Sequence, residues 1–288
     1  MHRHCFLFAL SLSWLGSTIG AGCSSGPEER PRVSYRVSAK ENYIKGKKAF
    51  DDEDYLEAIE YFKFVKNKFP YSAYATQSDL LIADCHYARE HFLEAADAYA
   101  DFIKLHPRHE KVAYAMYRIG LCFFERIPED WWFAPPAYEL DQRETDRAIV
   151  ELERYLARFP EHENAADART KLERCKRRNA EKVRYIMEFN RKGDHFQGAL
   201  WRAEQLLALY PGSFDQQALF YKAEALVALD RHAEALEAVT ELLSRFPTGR
   251  YAEDARELKR RIPQTAKAPK RPEQAPQPQA GKASGAPP

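Results

Sequence analysis

The sequence has almost no excess charge of either sign. Its 44 lysine and arginine residues nearly balance 43 aspartate and glutamate residues, so the formal net charge at pH 7 is +1 over 288 residues. No overall field steers such a chain toward nucleic acid or anionic lipid. We therefore expect no nucleic-acid partner. A composition of 45% hydrophobic and 30% charged residues is typical of a soluble, helix-rich protein.

Cysteine is also scarce. Of the 5 cysteines, two lie near the N-terminus, and Cys85, Cys122 and Cys175 remain for the body of the chain. An odd number of thiols argues against a disulfide framework. The sequence predicts that these three cysteines are buried and free.

The motifs of common enzymes are missing. The sequence has no glycine-rich phosphate loop, no paired-histidine metalloprotease motif and no paired-cysteine zinc spacing. The acidic run at residues 51–54 lacks the spaced ligands and central glycine of a calcium loop. His106 and His109 flank a proline and are better explained as helix-end residues than as metal ligands. We expect no catalytic activity, no metal and no cofactor.

What the sequence does contain is a recurring proline that follows an aromatic residue or histidine. Twelve residues before each of these prolines stands an alanine. The prolines are Pro70, Pro107, Pro160, Pro211 and Pro247, and the alanines are Ala58, Ala95, Ala148, Ala199 and Ala235. Apolar residues at three- and four-residue spacing between them predict amphipathic helices. Proline cannot continue a helix, so each step closes one.

This pattern resembles the tetratricopeptide repeat (TPR), with a small residue early in its first helix (helix A), an alanine in its second (helix B) and a closing proline. Gly46, Ala83 and Gly120 occupy the small-residue position. A small side chain lets the two helix backbones approach closely. We predict an all-α fold, an α-solenoid of about five TPR helix-turn-helix repeats with a C-terminal capping helix.

The proline spacing divides the chain. Successive steps of 37, 53, 51 and 36 residues compare with a usual period of about 34, so the middle steps contain insertions. We expect repeats 1 and 2 in 39–110, and repeat 3 in 111–192 with an inserted loop at 127–145 and a long connecting helix. Repeats 4 and 5 and the cap occupy 193–262. Residues 263–288 are predicted to form a disordered, proline-rich tail.

The N-terminus has the form of an export signal. Residues 1–22 contain an apolar run too short to span a bilayer but suited to a signal peptide. The small residues before Cys23 resemble a bacterial lipoprotein cleavage box, which implies a lipidated Cys23; Gly20 departs from the apolar residue usual at its place. Ser24, in place of an inner-membrane-retaining Asp, implies the outer membrane. Residues 23–38 would be a lipidated N-terminus and flexible tether. Simple secretion is the alternative.

Three stretches carry a closer resemblance: FPYSAYA at 69–75, YAMYRIGLCFF at 114–124 and YLARFPEHENAADARTKL at 155–172. Together with the repeats and the signal, they resemble the BamD family of lipoproteins in the outer-membrane β-barrel assembly (BAM) machine. The resemblance implies a scaffold on the periplasmic face of the outer membrane. Its implied partners are a BamA-like barrel protein, other lipoproteins of the assembly complex, and unfolded outer-membrane proteins.

In TPR stacks helix A lines the concave groove, which assigns candidate contact residues. An aromatic N-terminal half suits apolar side chains of an extended peptide, and an ionic C-terminal half suits a folded, charged partner. The peptide-groove candidates are Tyr43, Phe50, Tyr87, Tyr114, Tyr117 and Phe124, and the BamA-like partner candidates are Arg184, Glu188 and Arg191.

Two further questions stay open at the level of sequence. Trp131 and Trp132 in the inserted loop either pack on the solenoid or form an exposed contact site. A different function is also compatible with the repeats, namely a periplasmic TPR lipoprotein that acts as an adaptor for cell-wall (peptidoglycan) enzymes, with the basic tail reaching peptidoglycan.

Overall fold

The computed structural model describes residues 33–128 and 141–263, and within these residues the chain forms eleven α-helices. Each helix packs against the one before and the one after it. The predicted α-solenoid of helix pairs with a terminal cap is confirmed. The helices are α1 Ala39–Asp51, α2 Tyr55–Lys68, α3 Ala73–Ala88, α4 Phe92–Leu105, α5 Val112–Glu125, α6 Arg143–Arg158, α7 Ala165–Lys192, α8 Phe196–Leu209, α9 Asp215–Ala228, α10 His232–Arg245 and α11 Ala252–Arg261.

The turns from helix A to helix B share one backbone device. A residue with φ between 56° and 63° ends helix A in four of the pairs: Glu53, Glu90, Asp194 and Asp230. The N–H of the residue that follows donates a hydrogen bond to a carbonyl in the last turn of helix A, as from Asp54 to Ala49 (2.8 Å). A residue in the left-handed conformation after a helix allows the following N–H groups to bond the unpaired carbonyls of its last turn. Helix B can therefore turn back at once.

The turns from helix B to the next helix A are built around the recurring prolines. In each turn, the carbonyl of the residue before the proline accepts a hydrogen bond from the N–H of the residue two positions after the proline. Examples are the bonds from Ser72 to Phe69 (2.9 Å) and from His109 to His106 (3.0 Å). Proline has its φ preset for the second position of such a turn and needs no N–H there. The same proline thus ends one helix and forms the turn that leads into the next helix.

Where helix B crosses helix A, no room is left for a larger side chain. All five alanines that precede the prolines by twelve residues are 0% exposed. A Cβ built on Gly120 would lie 2.7 Å from Leu152 Cδ2, and one on Gly46 would lie 2.7 Å from Phe62 Cε1. Interiors packed at this density tolerate little added volume. The small residues therefore set the distance between the helices of a pair.

The three cysteines of the solenoid are free and buried, as predicted. Cys85 and Cys122 lie in neighbouring A helices within the core. Burial raises the pKa of both thiols to about 12 and that of Cys175 to about 11. They pack as small apolar side chains.

The long helix α7 belongs to two neighbouring helix pairs. Its first half packs on α6 and its second half on α8. It is the first helix of the fourth pair, so the division expected at residue 192 falls between two helices that pack together. The loop expected at 127–145 also ends earlier, because α6 begins at Arg143. Glu144 and Asp146 in its first turn favour helix initiation there.

The described end of the expected tether, residues 33–38, is not a free linker. Tyr35 stacks on Phe64 with ring centroids 4.1 Å apart. Asn42, which is 0% exposed, accepts from the Arg36 N–H (2.7 Å) and donates back to the Arg36 carbonyl (2.9 Å). The expectation of flexibility is wrong for this segment because aromatic stacking and a buried amide hold it against α1 and α2.

Several predicted features lie outside the described residues: the signal at 1–22, Cys23, Trp131 and Trp132, and the tail beyond 263. In the described part of the chain, no helix combines the length and hydrophobicity needed to cross a bilayer.

The packing at the helix crossings predicts the outcome of a paired substitution in α4. Ala95→Leu adds volume at a fully buried crossing, and Ala100→Leu adds the same volume at an exposed position. Overpacking costs about 1–3 kcal/mol, whereas leucine and alanine have similar helix propensities. Urea denaturation should show that loss of unfolding free energy for Ala95→Leu and almost none for Ala100→Leu. Equal effects would contradict close packing at the crossing.

Candidate partner-binding surfaces

The A helices form one side of the solenoid. Contacts between α1 and α3, between α5 and α7, and between α7 and α9 bring them next to one another, in addition to their contacts with the B helices. The predicted groove residues all lie on these A helices, the aromatic ones on α1, α3 and α5 and the ionic ones on α7. The structure thus places both candidate sets on one continuous side.

Tyr43 and Phe50 at the N-terminal end are half-buried. The Tyr43 ring lies 5.1 Å from Tyr74 of the next A helix, measured between centroids. Phe50 contacts Tyr55 edge-on at 5.5 Å, and the Lys47 ammonium lies 5.1 Å from its centroid. Each ring keeps part of its surface open while its position is fixed by neighbours. Rigid aromatic surface of this kind contributes binding energy at low conformational cost.

The next part of the surface is organised by one carboxylate, Asp84. It accepts hydrogen bonds from the hydroxyls of Tyr99 (2.5 Å) and Tyr114 (2.8 Å). Arg118 donates from Nε to the Tyr99 oxygen (2.9 Å), and its guanidinium lies 3.5 Å from the centroid of Tyr87. The network ties α3, α4 and α5 together. It engages the hydroxyls of Tyr99 and Tyr114, so what Tyr114 offers outward is mainly ring surface.

Tyr117 and Phe124 are covered in part by α7. Tyr117 is 8% exposed and donates to Asp167 of α7. The Phe124 ring lies between two cations of α7, 5.5 Å from Lys171 Nζ and 5.4 Å from the Arg174 guanidinium carbon. Phe124 also lines a cleft of about 260 Å³ between the end of α5 and the middle of α7. Of the six aromatic candidates, Tyr117 has the least surface to offer a peptide.

The three ionic candidates on α7 are engaged with α9. Arg184 pairs with Glu188 (2.6 Å), which also accepts from Gln217 Nε2 of α9 (2.6 Å). The Arg191 guanidinium lies 4.4 Å from the Tyr221 centroid and 3.6 Å from a Glu224 oxygen. Each of the three side chains retains about a quarter to a third of its surface. They hold α7 on α9 and still reach the solvent.

Some exposed or bridging residues were not anticipated from the sequence. Arg118 links the tyrosine network, and its only signal in the sequence is its place one turn after Tyr114. Phe189 and Trp201 are 63% and 73% exposed. The signal for Trp201 is that it lies off the buried stripe formed by Ala199, Ala203 and Leu206 of the same helix.

Comparison with known proteins places this architecture in a family. A family model described as YfiO, outer membrane lipoprotein, matches residues 36–234, which run from the segment before α1 to the start of α10. The chain belongs to the YfiO family. Both the aromatic and the ionic candidates fall within the matched residues, whereas most of α10, all of α11 and the tail lie beyond it.

Two curated relatives of this YfiO family member carry the same name. It is 29% identical to the outer membrane protein assembly factor BamD of Caulobacter vibrioides over 83% of this chain and 76% of that protein. It is 26% identical to BamD of Vibrio cholerae over 71% of this chain and 81% of that protein. The TPR2AB domain of yeast Sti1 in its pHSP90 complex gives a TM-score of 0.39 at 14% identity, covering 77% of this chain and 81% of that chain. The assignment of helix pairs rests on this chain's own geometry.

The tyrosine network predicts a loss of stability in alkali. Burial raises the pKa of Tyr87 to about 12, and those of Tyr99 and Tyr114 rise in the same direction. The unfolded chain releases these protons near the ordinary value of 10.0, so the folded state binds more protons above that pH. The unfolding free energy should fall as the pH rises from about 10 to about 12.

Tyr87→Phe should make that fall shallower, because it removes one such phenol and keeps the ring beneath Arg118. Tyr71→Phe is the control, since Tyr71 is fully exposed. Urea denaturation series across this pH range measure the slopes. The same slope in both variants would contradict the role of the buried phenol.

Proposed function

We propose that this protein is a scaffold of the outer-membrane β-barrel assembly complex. In this proposal it sits on the periplasmic face of the outer membrane, anchored through a lipid on Cys23. It binds the periplasmic domains of a BamA-like barrel protein, contacts other lipoproteins of the complex, and helps to recognise unfolded outer-membrane proteins. The observation that carries the proposal is the match of the YfiO family across both halves of the A-helix side.

The aromatic half supports the recognition of unfolded chains. Its rings contact neighbouring side chains, and the hydroxyls of Tyr114 and Tyr117 donate to Asp84 and Asp167. A surface with open ring faces favours apolar side chains without demanding one sequence. Extended, unfolded segments present such side chains before they are inserted into a membrane.

The ionic half supports contact with a folded partner. Arg184 and Glu188 form an ordered pair braced by Gln217 of α9, so their exposed edges have fixed positions. Fixed charges at the rim of an interface select a complementary partner and its orientation.

The docked segment at 33–38 supports a short distance between the proposed lipid anchor and the first repeat. Ser34 is held against the body, since its carbonyl accepts from Lys45 Nζ (2.7 Å). Ser34 lies eleven positions after Cys23, a span of about 36 Å when the chain is fully extended. A lipid on Cys23 would therefore keep the first repeat close to the bilayer surface.

Photocrosslinking tests the aromatic half. A photoreactive phenylalanine in place of Phe50 should crosslink to unfolded outer-membrane proteins, because the ring at that position lies on the A-helix side. The same residue in place of Tyr71, which is fully exposed at a turn, is the control. Mass spectrometry of the adducts measures the yield at each site. Comparable adducts from both positions would contradict a specific groove.

A charge swap tests the ionic half. In Arg184→Glu with Glu188→Arg the internal ion pair can re-form, and Gln217 can turn its amide to donate or accept as required. The fold should remain, but the charges shown to a partner are exchanged. Co-purification of the barrel protein in mild detergent should fall about tenfold, equivalent to about 1.4 kcal/mol.

The matched control for this swap is Arg177→Glu with Glu181→Arg. That pair has the same spacing on the same helix, at 3.4 Å, and it is more exposed. It should leave co-purification unchanged. Equal losses from the two swaps would show that the effect is not specific to the Arg184 pair.

A further inference from the structure

A second concave feature lies at the C-terminal end of the A-helix side, and we name it the C-terminal groove. It runs between the start of α8, the helix α9 and the capping helix α11, with a volume of about 530 Å³. Its apolar lining includes Phe196, Phe220, Val227 and Leu258. The Phe220 ring is braced by Tyr251 at a centroid distance of 5.2 Å. Phe220 therefore forms a braced aromatic wall of the groove.

The charges that line the C-terminal groove are predominantly acidic. Four carboxylates face two guanidinium groups, although the whole chain is almost neutral. The carboxylates belong to Asp194, Glu224, Asp254 and Glu257, and the guanidinium groups to Arg191 and Arg261. An occupant with lysine or arginine side chains complements this lining.

Among the carboxylates that line the C-terminal groove, Glu224 has an oxygen that accepts no hydrogen bond within the described part of the chain. Its Oε2 atom is buried and has no hydrogen-bond partner among the described residues, because Arg191 approaches only to 3.6 Å. Burial and then the nearby Asp254 raise the pKa of the Glu224 carboxyl, against the lowering effect of Arg191. A buried carboxylate oxygen that accepts no hydrogen bond is unfavourable, even with an ion pair at 3.6 Å. A donor brought in by an occupant would remove that cost.

The chain itself supplies a segment of the complementary type directly beside the groove. The helix α11 lines the groove with Leu258 and ends at Arg261, next to residues 264–288. That segment contains Lys267, Lys270, Arg271 and Lys282 against a single acidic residue, Glu273, together with repeated prolines. Lys267 comes four residues after Pro263, which spans at most about 13 Å of extended chain. Proline-rich segments bind aromatic grooves at low entropic cost.

We propose that the basic, proline-rich residues 264–288 bind in the C-terminal groove of their own chain, with lysine or arginine side chains against Glu224 and Asp254. A partner that uses this end of the A-helix side must then displace the segment. The proposal rests on the lining of the groove and the composition of residues 264–288, and it does not depend on the proposed assembly role.

Crosslinking within the full chain tests the proposal. A photoreactive residue in place of Ala228, which lines the groove and is exposed, should form adducts with tryptic peptides from residues 264–288. The control is the same residue in place of Ala208, an exposed position on α8 away from the groove. Mixing isotopically labelled and unlabelled protein separates adducts within one chain from adducts between two chains. We expect adducts within one chain, and at least fivefold more from position 228.

Charge removal gives a second readout. Glu224→Gln with Asp254→Asn should lower the yield from position 228 at least threefold, and so should raising the salt from about 50 to about 500 mM, which shortens the range of charge interactions. Glu237→Gln, at an exposed position of α10, should leave the yield unchanged. Circular dichroism confirms that each variant is folded. Equal yields from positions 228 and 208, adducts only between chains, or a yield insensitive to the double substitution would overturn the proposal.

Discussion

The structure depends on the close approach of two helices at a small residue. Each helix pair has an alanine with no exposed surface where helix B crosses helix A, and Gly46 and Gly120 provide the matching space in two of the A helices. Because this contact repeats, the pairs stack in register and the A helices come to lie side by side. The aromatic half, the ionic half and the C-terminal groove all lie on the surface that this stacking creates. A shift of the helix pairs would separate the residues that form each of them.

The two halves of this surface differ in their chemistry and in the contacts that hold them. In the first three pairs the A helices are short, and their aromatic residues meet across helices in the network around Asp84. In the fourth pair α7 is twice as long, and its charges are braced against α9. The second half of α7 packs its apolar residues on α8 and places these charges beside α9. The aromatic half is thus held by contacts among the first three pairs, and the ionic half by contacts between α7 and α9.

The sequence was a good guide to the elements and a weaker guide to the surfaces. The spacing between alanine and proline predicted the helix pairs because it reflects local steric rules that hold in any context. The flexible tether was wrong for residues 33–38, because the stacking of Tyr35 on Phe64 joins residues distant in sequence. Tyr117 was expected among the groove aromatics, yet α7 covers it. Spacing along α5 predicts which face of α5 carries Tyr117, but it does not predict which other helix packs on that face. Arg118 and the unmet oxygen of Glu224 likewise arise from contacts between helices.

The sequence by itself determined the all-helical repeat, the turn at each proline, the burial of the three solenoid cysteines and the near balance of charge, because these follow from local geometry and composition. The tertiary structure decided which aromatic rings keep an open face, which charges are braced by a neighbouring helix and where an acidic, aromatic groove forms at the C-terminal end. These are properties of pairs of helices, set by the distance at which the small residues let them pack. Family membership came from comparison with known proteins, since a stack of helix pairs serves many functions.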